Sequence, residues 1–310
     1  MTGTTLPVTD GRGHRLIAVA DTAPKPASNG KALALIGVAP FFLFAFLFLI
    51  LPTLMLLIGA FQDKTGAFTL QNFVALSQPN IVAAYTISIK ISAASAIMGA
   101  LFGFFIAHAI TGGVLPGWVR AFVTTFSGVA SNFAGVPLAF AFLATLGRLG
   151  LVTVLLRDLF GFSLYGSGFN LLSFWGLTLT YLYFQIPLMV LILTPALDGL
   201  KKEWREASAI LGASTRQYWT MIALPILWPS ILGAAILLFA NAFGAIATAY
   251  ALTGSSLNIV TILLYAQIRG DVLHNPNLGY ALALGMVAIT SASNLAYLWL
   301  RARADRWVKA

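Results

Sequence analysis

The sequence predicts an all-α membrane protein with six transmembrane helices and one polar helical segment between the fourth and the fifth. Of its 310 residues, 59% are hydrophobic and only 9% are charged, whereas about 25% of the residues of a soluble domain are charged. The mean hydropathy is +0.89. Several apolar runs also reach the length of about 20 residues that a membrane-spanning helix needs. Composition and run length therefore agree on the fold class.

Six apolar runs are long enough to form the spanning helices. They cover residues 32–61, 88–110, 121–147, 171–197, 230–252 and 278–300. In the second run, Gly99 and Gly103 are four residues apart, a spacing that lets two helix backbones approach closely in lipid. Residues 149–160 are too few and too charged to cross a bilayer. We therefore expect them to belong to a connection rather than to a span.

The distribution of basic residues predicts the orientation of the chain. Thirteen of the 18 Lys and Arg residues lie in the two termini, in the loop after the second run and in the polar segment 198–229. Cytoplasmic loops carry such an excess, so both termini and this segment are predicted to be cytoplasmic. Residues 1–31 are predicted to be a disordered basic tail and residues 303–310 a basic C-terminus. We expect these basic residues to interact with anionic lipid headgroups. We expect no nucleic-acid binding.

The chain offers little chemistry of its own. It contains no cysteine, and its three histidines have no paired ligand spacing, so neither a disulfide nor a metal site is expected. It has no glycine loop of the kind that binds nucleotide phosphates, so we predict no bound cofactor and no catalytic residue. The apolar runs contain no Asp or Glu, although proton-coupled carriers usually need such a residue in the membrane. Any energy source is therefore expected to lie on a partner.

The polar segment 198–229 is predicted to be a helix, a sharp turn and a second helix. Helix-forming residues extend over 201–211, and Gly212 follows where a left-handed terminating residue is expected. Ser214 and Gln217 have the spacing of a capping box, which starts a second helix. Apolar side chains recur at helical spacing on one side of the first helix, at Leu200, Trp204, Ala207 and Leu211. The segment has the features of a docking element at a membrane surface.

This segment resembles the EAA loop of bacterial ABC importer permeases, whose pattern is E-A-A-x-x-x-G, nine residues, then I-x-L-P. The matching residues are Glu206, Ala207, Ser208, Gly212, Ile222, Leu224 and Pro225. Ser208 stands where the pattern has a second Ala, which replaces one small residue with another. The alternative is an ordinary pair of amphipathic helices on the membrane surface, with Glu206 solvated. The resemblance extends over residues 32–302, which we predict to be the permease domain.

The resemblance implies a transmembrane permease subunit of a type I ABC importer in the bacterial cytoplasmic (inner) membrane. Expected partners are two ATP-binding subunits, a second permease subunit, an extracytoplasmic solute-binding protein and membrane lipid. ATP hydrolysis would take place on the partner, so this chain is not expected to be an enzyme. The segment 198–229 would seat in the ATPase and couple it to the membrane helices. The alternative function is that of an autonomous secondary transporter or channel.

The transported solute is predicted only as a class. The chain looks most like permeases of the polyamine, iron, phosphonate, thiamine and sulfate group, which implies a small polar or charged solute. Intramembrane carboxylates are absent, and this mildly disfavours a cationic solute. Aromatic rings are an alternative way to hold a cation.

Six residues are candidates for the solute path. Lys90 is the one charged residue near a predicted span, and it either faces the path and favours an anion, extends to the membrane surface, or pairs within a subunit interface. The other candidates are Tyr181, Tyr183, Gln185, Asn241 and Thr248. For each of these five, the alternative is that it packs one helix against another.

Overall fold

The computed structural model describes residues 8–9, 15–16, 29–113, 115–269 and 275–308, with side chains described between residues 37 and 299. The chain divides into two compact units, residues 1–55 and 56–310. The helices up to the fourth candidate span are α1 (Asn29–Ala45), α2 (Leu51–Ala60), α3 (Gln71–Ala75), α4 (Pro79–Thr111), α5 (Gly117–Ala130), α6 (Val136–Leu146), α7 (Leu151–Phe160) and α8 (Phe174–Asp198). The later ones are α9 (Lys202–Ile210), α10 (Thr215–Tyr218), α11 (Leu224–Phe243), α12 (Ile246–Thr253), α13 (Val260–Arg269) and α14 (Pro276–Val308).

The first unit is an exposed helix preceded by one small strand pair. The strands β1 (Val8–Thr9) and β2 (Arg15–Leu16) pair antiparallel within the predicted tail, with Val8 opposite Leu16. A π-helical turn, Phe46–Ile50, connects α1 to α2. Between residues 37 and 55 every side chain except that of Thr53 is apolar, and almost all of them are exposed. A helix that is hydrophobic all round and not buried in protein is typical of a lipid-facing span.

Six helical stretches among the described residues are long and apolar enough to span a membrane. They are Gly37–Ala60, Pro79–Thr111, Val136–Phe160, Phe174–Asp198, Thr215–Phe243 and Pro276–Trp299. The predicted fold class, an all-α protein with six spans, is confirmed. The polar helix α9 lies between the fourth and fifth of these stretches, as predicted.

The predicted third span, 121–147, is wrong. The helix α5 ends at Ala130, and the chain unwinds before α6 begins at Val136. Gly135 adopts a φ of +76°, a conformation that interrupts a right-handed helix. The third candidate span instead combines α6 with α7, so the prediction that residues 149–160 belong to a connection is also wrong. The two helices together supply the length that neither has alone. Hydropathy averaged over the run did not reveal the break.

The predicted fifth span, 230–252, is also wrong in its bounds. Its helix begins at Thr215, directly after the N-cap Ser214, and continues as one helical stretch to Phe243. The chain then breaks at Gly244 and Ala245 before α12 begins. The third and fifth predicted spans thus contain the two interior breaks that position the candidate site.

The second unit is packed around α8. Of the most apolar 18-residue stretch of α8, 67% is buried inside the protein. This is the largest buried share among the six candidate spans. The helix α4 approaches it closely at two glycines: a Cβ added at Gly99 would lie 2.8 Å from Gln185 Cβ, and one at Gly103 would lie 2.5 Å from Met189 Cβ. The predicted close approach at these glycines is therefore confirmed, and it lies within this chain.

Candidate functional site

The segment after α8 folds as two helices joined by a sharp turn. The helix α9 ends at Ile210, and Gly212 follows with a φ of +79°. Glycine adopts this left-handed conformation without steric cost. Ser214 Oγ accepts a hydrogen bond from Gln217 N, and the Gln217 side chain accepts one from Ser214 N. The predicted terminator and the predicted capping box are both formed.

The surface of α9 is almost entirely exposed. Glu206 and Ala207 are exposed, and Ile210 and Leu211 each expose 86% of their surface. Only Ser208 is buried, and its hydroxyl donates to a carbonyl within the same helix at 2.7 Å. Large apolar side chains exposed beside a carboxylate are typical of a surface that binds another protein.

The predicted apolar side of α9 is not buried as a unit. Leu200 and Trp204 are half-buried, but Ala207 and Leu211, which share their side in the helical pattern, are exposed. The periodicity found the helix correctly. The periodicity did not show that the helical bundle covers this side only near the start of α9, at Leu200 and Trp204.

The second helix of the segment is anchored in the bundle. From α10 the chain passes through a π-helical turn, Trp219–Ala223, into α11. The Trp219 ring lies 4.6 Å from the His108 ring and 6.5 Å from the Phe104 ring, both on α4. This aromatic contact fixes the second helix against α4, while α9 has no comparable anchor among the described residues.

The last three residues of the motif lie where the π-helical turn meets α11. Ile222 and Leu224 are half-buried, and Pro225 is exposed. Pro225 stands in the first turn of α11 and does not end the helical stretch. Proline lacks a backbone N–H, so it is best tolerated in such a first turn.

An ion pair that the sequence did not reveal joins α5 to the end of α8. Arg120 Nη2 donates to Asp198 Oδ2, and both side chains are partly exposed. Asp198 is the last residue of α8 and is followed within four residues by α9. The pair could not be inferred from spacing, because the two residues are 78 positions apart.

A cavity of about 400 Å³ lies between the two helix breaks. Its lining includes Ser131, Gly135, Phe184, Asn241, Ala247 and Thr248. Gly135 N donates to Thr248 Oγ1 at 2.7 Å, which joins the break after α5 to α12, the helix that follows the break after α11. Among the residues that the structure describes, no charged side chain lines the cavity. It can therefore offer hydroxyl, amide and backbone groups to a polar molecule, but no formal charge.

Two of the six candidates for the solute path, Asn241 and Thr248, meet at this cavity. Three others pack helices. Tyr181 Oη donates to the Ala245 carbonyl at 3.0 Å, and the fully buried Gln185 donates through Nε2 to the Leu238 carbonyl at 3.0 Å. Tyr183 lies against two phenylalanine rings. The hydrogen bonds of Tyr181 and Gln185 hold α8 against α11 and the break that follows it.

Lys90 lies in a different place. It is exposed on α4 and lines a separate groove of about 690 Å³, together with Val82, Ile87 and Phe174. None of the described residues that line this groove is acidic. The structure therefore does not bring Lys90 to the cavity that contains Asn241 and Thr248. Within the described part of the chain, no three His, Asp or Glu side chains are placed to hold a metal ion.

Comparison with known proteins identifies the family. Residues 99–310 match the family described as "binding-protein-dependent transport system inner membrane component". The chain is 29% identical over 174 residues to a probable sulfate transport system permease protein cysT of Chlorella vulgaris, covering 54% of this chain and 60% of the relative. It is 25% identical over 300 residues to a putative ferric transport system permease protein FbpB 1 of Haemophilus influenzae, covering 93% of this chain and 45% of the relative. The chain thus spans about half the length of these relatives.

The fold is also found in a solved structure. A chain in the crystal structure of a bacterial ABC transporter involved in the import of the acidic polysaccharide alginate superposes with a TM-score of 0.68. The two are 17% identical, and the match covers 89% of this chain and 96% of that chain. At this identity the likeness supports the fold. The family match over residues 99–310 shows that this protein belongs to the binding-protein-dependent transport system inner membrane components, the permease family of ABC importers.

Proposed function

We propose that this chain is the transmembrane permease subunit of an ATP-driven bacterial ABC importer. The observation that carries the proposal is the exposure of α9, which leaves Glu206, Ile210 and Leu211 uncovered between two spans. A helix that the bundle positions at its base but leaves uncovered is suited to seat in another subunit. The partner would be an ATP-binding subunit, because this sequence has no nucleotide-binding loop of its own.

The complete transporter would contain two ATP-binding subunits, a second permease subunit and an extracytoplasmic solute-binding protein. In the proposed orientation α9 and both termini face the cytoplasm, where the excess of Lys and Arg is expected. The motif residues that would contact or support the ATP-binding subunit are Glu206, Ala207, Ser208, Gly212, Ile222, Leu224 and Pro225. Gly212 would set the angle between α9 and the anchored second helix.

The solute path would pass the cavity between the helix breaks. Transporters often place their binding sites at discontinuous helices, where free backbone groups face a cavity. Here the breaks after α5 and α11 meet, and Asn241 and Thr248 supply polar side chains. The solute is proposed to be small and polar or charged.

Reconstitution tests the proposed function directly. The chain is placed in liposomes with its ATP-binding subunits, second permease and solute-binding protein, and solute uptake is measured with and without ATP. Uptake is expected only when ATP and the ATP-binding subunits are both present. Uptake by the chain alone, at the rate of the full complex, would mean that it is an autonomous transporter or channel.

Filling the cavity is expected to block transport. Ala247 is exposed and lines the cavity, so Ala247→Phe places a ring in the space without displacing buried side chains. We expect uptake to fall by about tenfold or more, which corresponds to ~1.4 kcal/mol or more of barrier. ATP hydrolysis by the complex is expected to continue. Uptake is measured in the same liposomes.

The matched control is the same substitution on a remote helix. Ala296 is exposed on α14 beside other exposed apolar side chains, Leu295 and Leu298. Ala296→Phe should leave uptake unchanged. Equal uptake by the Ala247→Phe complex and the wild-type complex would show that solute does not pass the cavity.

A further inference from the structure

The ion pair between Arg120 and Asp198 has no explanation in the stability of its own helices. Asp198 ends α8, where the negative end of the helix dipole disfavours a carboxylate. Arg120 stands near the start of α5, where the positive end disfavours a cation. Each charge therefore interacts unfavourably with the dipole of its own helix. The attraction between Arg120 and Asp198 offsets this cost for both residues.

The pair is also poorly placed to stabilise the fold. Its side chains are 43% and 41% exposed, and exposed ion pairs contribute little to stability because water screens them. The second ion pair among the described residues, Arg157 with Asp158, joins neighbours on one helix. Among the described ion pairs, Arg120–Asp198 is thus the one that connects two helices. A contact of this kind can break and re-form at little cost.

The position of the pair connects α9 to the cavity. Asp198 is separated from α9 by residues 199–201, so a movement of α9 acts on it before it acts on the rest of α8. Arg120 lies on α5, whose far end leads into the break lined by Ser131 and Gly135. The break is in turn bonded to α12 through Gly135 N and Thr248 Oγ1.

The helix α5 is held on one face only. Ser127 and Ala130 are buried, whereas Phe122, Phe126 and Val129 are exposed. A helix of 14 residues is about 20 Å long and stiff, so a displacement at its first turn is carried to its last. Because only one face of α5 is buried, we expect that α5 can shift along the bundle without exposing a buried core.

We propose that the Arg120–Asp198 pair is a latch that transmits the movement of α9 to α5, and through α5 to the helix break at the cavity. This inference rests on the proposed function and adds the route by which docking of the ATP-binding subunit would reach the solute path. Arg120 and Asp198 are positioning residues, since neither lines the cavity and neither belongs to the docking motif.

Charge reversal tests the latch in the reconstituted complex. The variants are Asp198→Arg, Arg120→Asp and the double exchange, and both ATP hydrolysis and solute uptake are measured. Each single reversal is expected to lower uptake by about tenfold while ATP hydrolysis stays within about twofold of the wild type, because an interaction used only in coupling is lost. The double exchange is expected to restore most of the uptake. The neutral variants Asp198→Asn and Arg120→Gln provide the same comparison if a reversal prevents folding.

The control is the other ion pair. Asp158→Arg breaks Arg157–Asp158 and should change neither uptake nor ATP hydrolysis. The latch is overturned if single reversals leave uptake unchanged, if ATP hydrolysis falls in parallel with uptake, or if the double exchange fails to restore uptake in a complex whose thermal unfolding is unchanged. Failure of the proposed function is distinguishable, because the wild-type complex itself would then show no ATP-dependent uptake.

Discussion

Replacing Glu206 with alanine is expected to abolish ATP-driven uptake while the chain still folds and inserts. Glu206 is exposed on α9 and belongs to neither of the two ion pairs among the described residues. Its removal therefore takes no charge partner away from the fold. If its carboxylate pairs with a cation of the ATP-binding subunit and becomes buried on docking, its loss costs about 2–5 kcal/mol of binding free energy.

Two measurements separate docking from folding. The affinity of the solubilised chain for its ATP-binding subunit is expected to fall by about 30-fold or more, which follows from 2 kcal/mol at about tenfold per 1.4 kcal/mol. The amount of folded chain recovered from the membrane is expected to match the wild type. Normal affinity and normal uptake in the Glu206→Ala complex would contradict the role proposed for α9.

Glu203 provides the matched control for this prediction. It is also exposed, and it lies in the first turn of α9, one turn before Glu206. Glu203→Ala removes a carboxylate that favours the helix start, an effect of roughly 0.3–1 kcal/mol on the helix itself. We expect a small change in affinity. An equal loss for both variants would indicate that the net charge of α9, rather than the motif residue, determines docking.

Adding one methyl group at Gly103 is expected to destabilise the bundle more than any surface change. The new Cβ would lie 2.5 Å from Met189 Cβ and 2.9 Å from the Ile186 carbonyl oxygen. A backbone carbonyl inside α8 cannot rotate away, so the two central helices must separate. Overpacking of this kind costs about 1–3 kcal/mol, and it is measured as a lower thermal unfolding midpoint in detergent.

Gly128 on α5 is the matched control for Gly103. A Cβ added there would meet nothing within 4 Å. Gly128→Ala should therefore be neutral or stabilise the helix by about 0.5–1 kcal/mol, because alanine loses less backbone entropy than glycine on folding. Equal unfolding midpoints for the Gly103→Ala and Gly128→Ala proteins would show that α4 and α8 are not in close contact in the membrane.

Local signals in the sequence were sufficient for much of the candidate docking segment. The terminator Gly212, the capping box of Ser214 and Gln217, and the helix between them and α8 all depend on residues within a few positions of one another. The glycine spacing of Gly99 and Gly103 likewise predicted a close contact, although not its partner. Chain-wide hydropathy predicted the number of spans correctly, because a membrane of fixed thickness requires about 20 apolar residues for each span. It misplaced the third and fifth of them.

The cavity and the latch depended on the tertiary structure. The breaks after α5 and α11 lie inside apolar runs. Hydropathy averaged over a run does not detect a few unwound residues, because those residues do not change the average much. Gly135 and Thr248 are 113 positions apart, and Arg120 and Asp198 are 78 positions apart. Sequence alone determined that this protein spans a membrane six times and carries a capped helix pair between two spans. Only the packing of the helices around α8 decided which breaks face each other, because an unwound backbone in a membrane is tolerated only where it is buried in protein or lines a water-filled cavity.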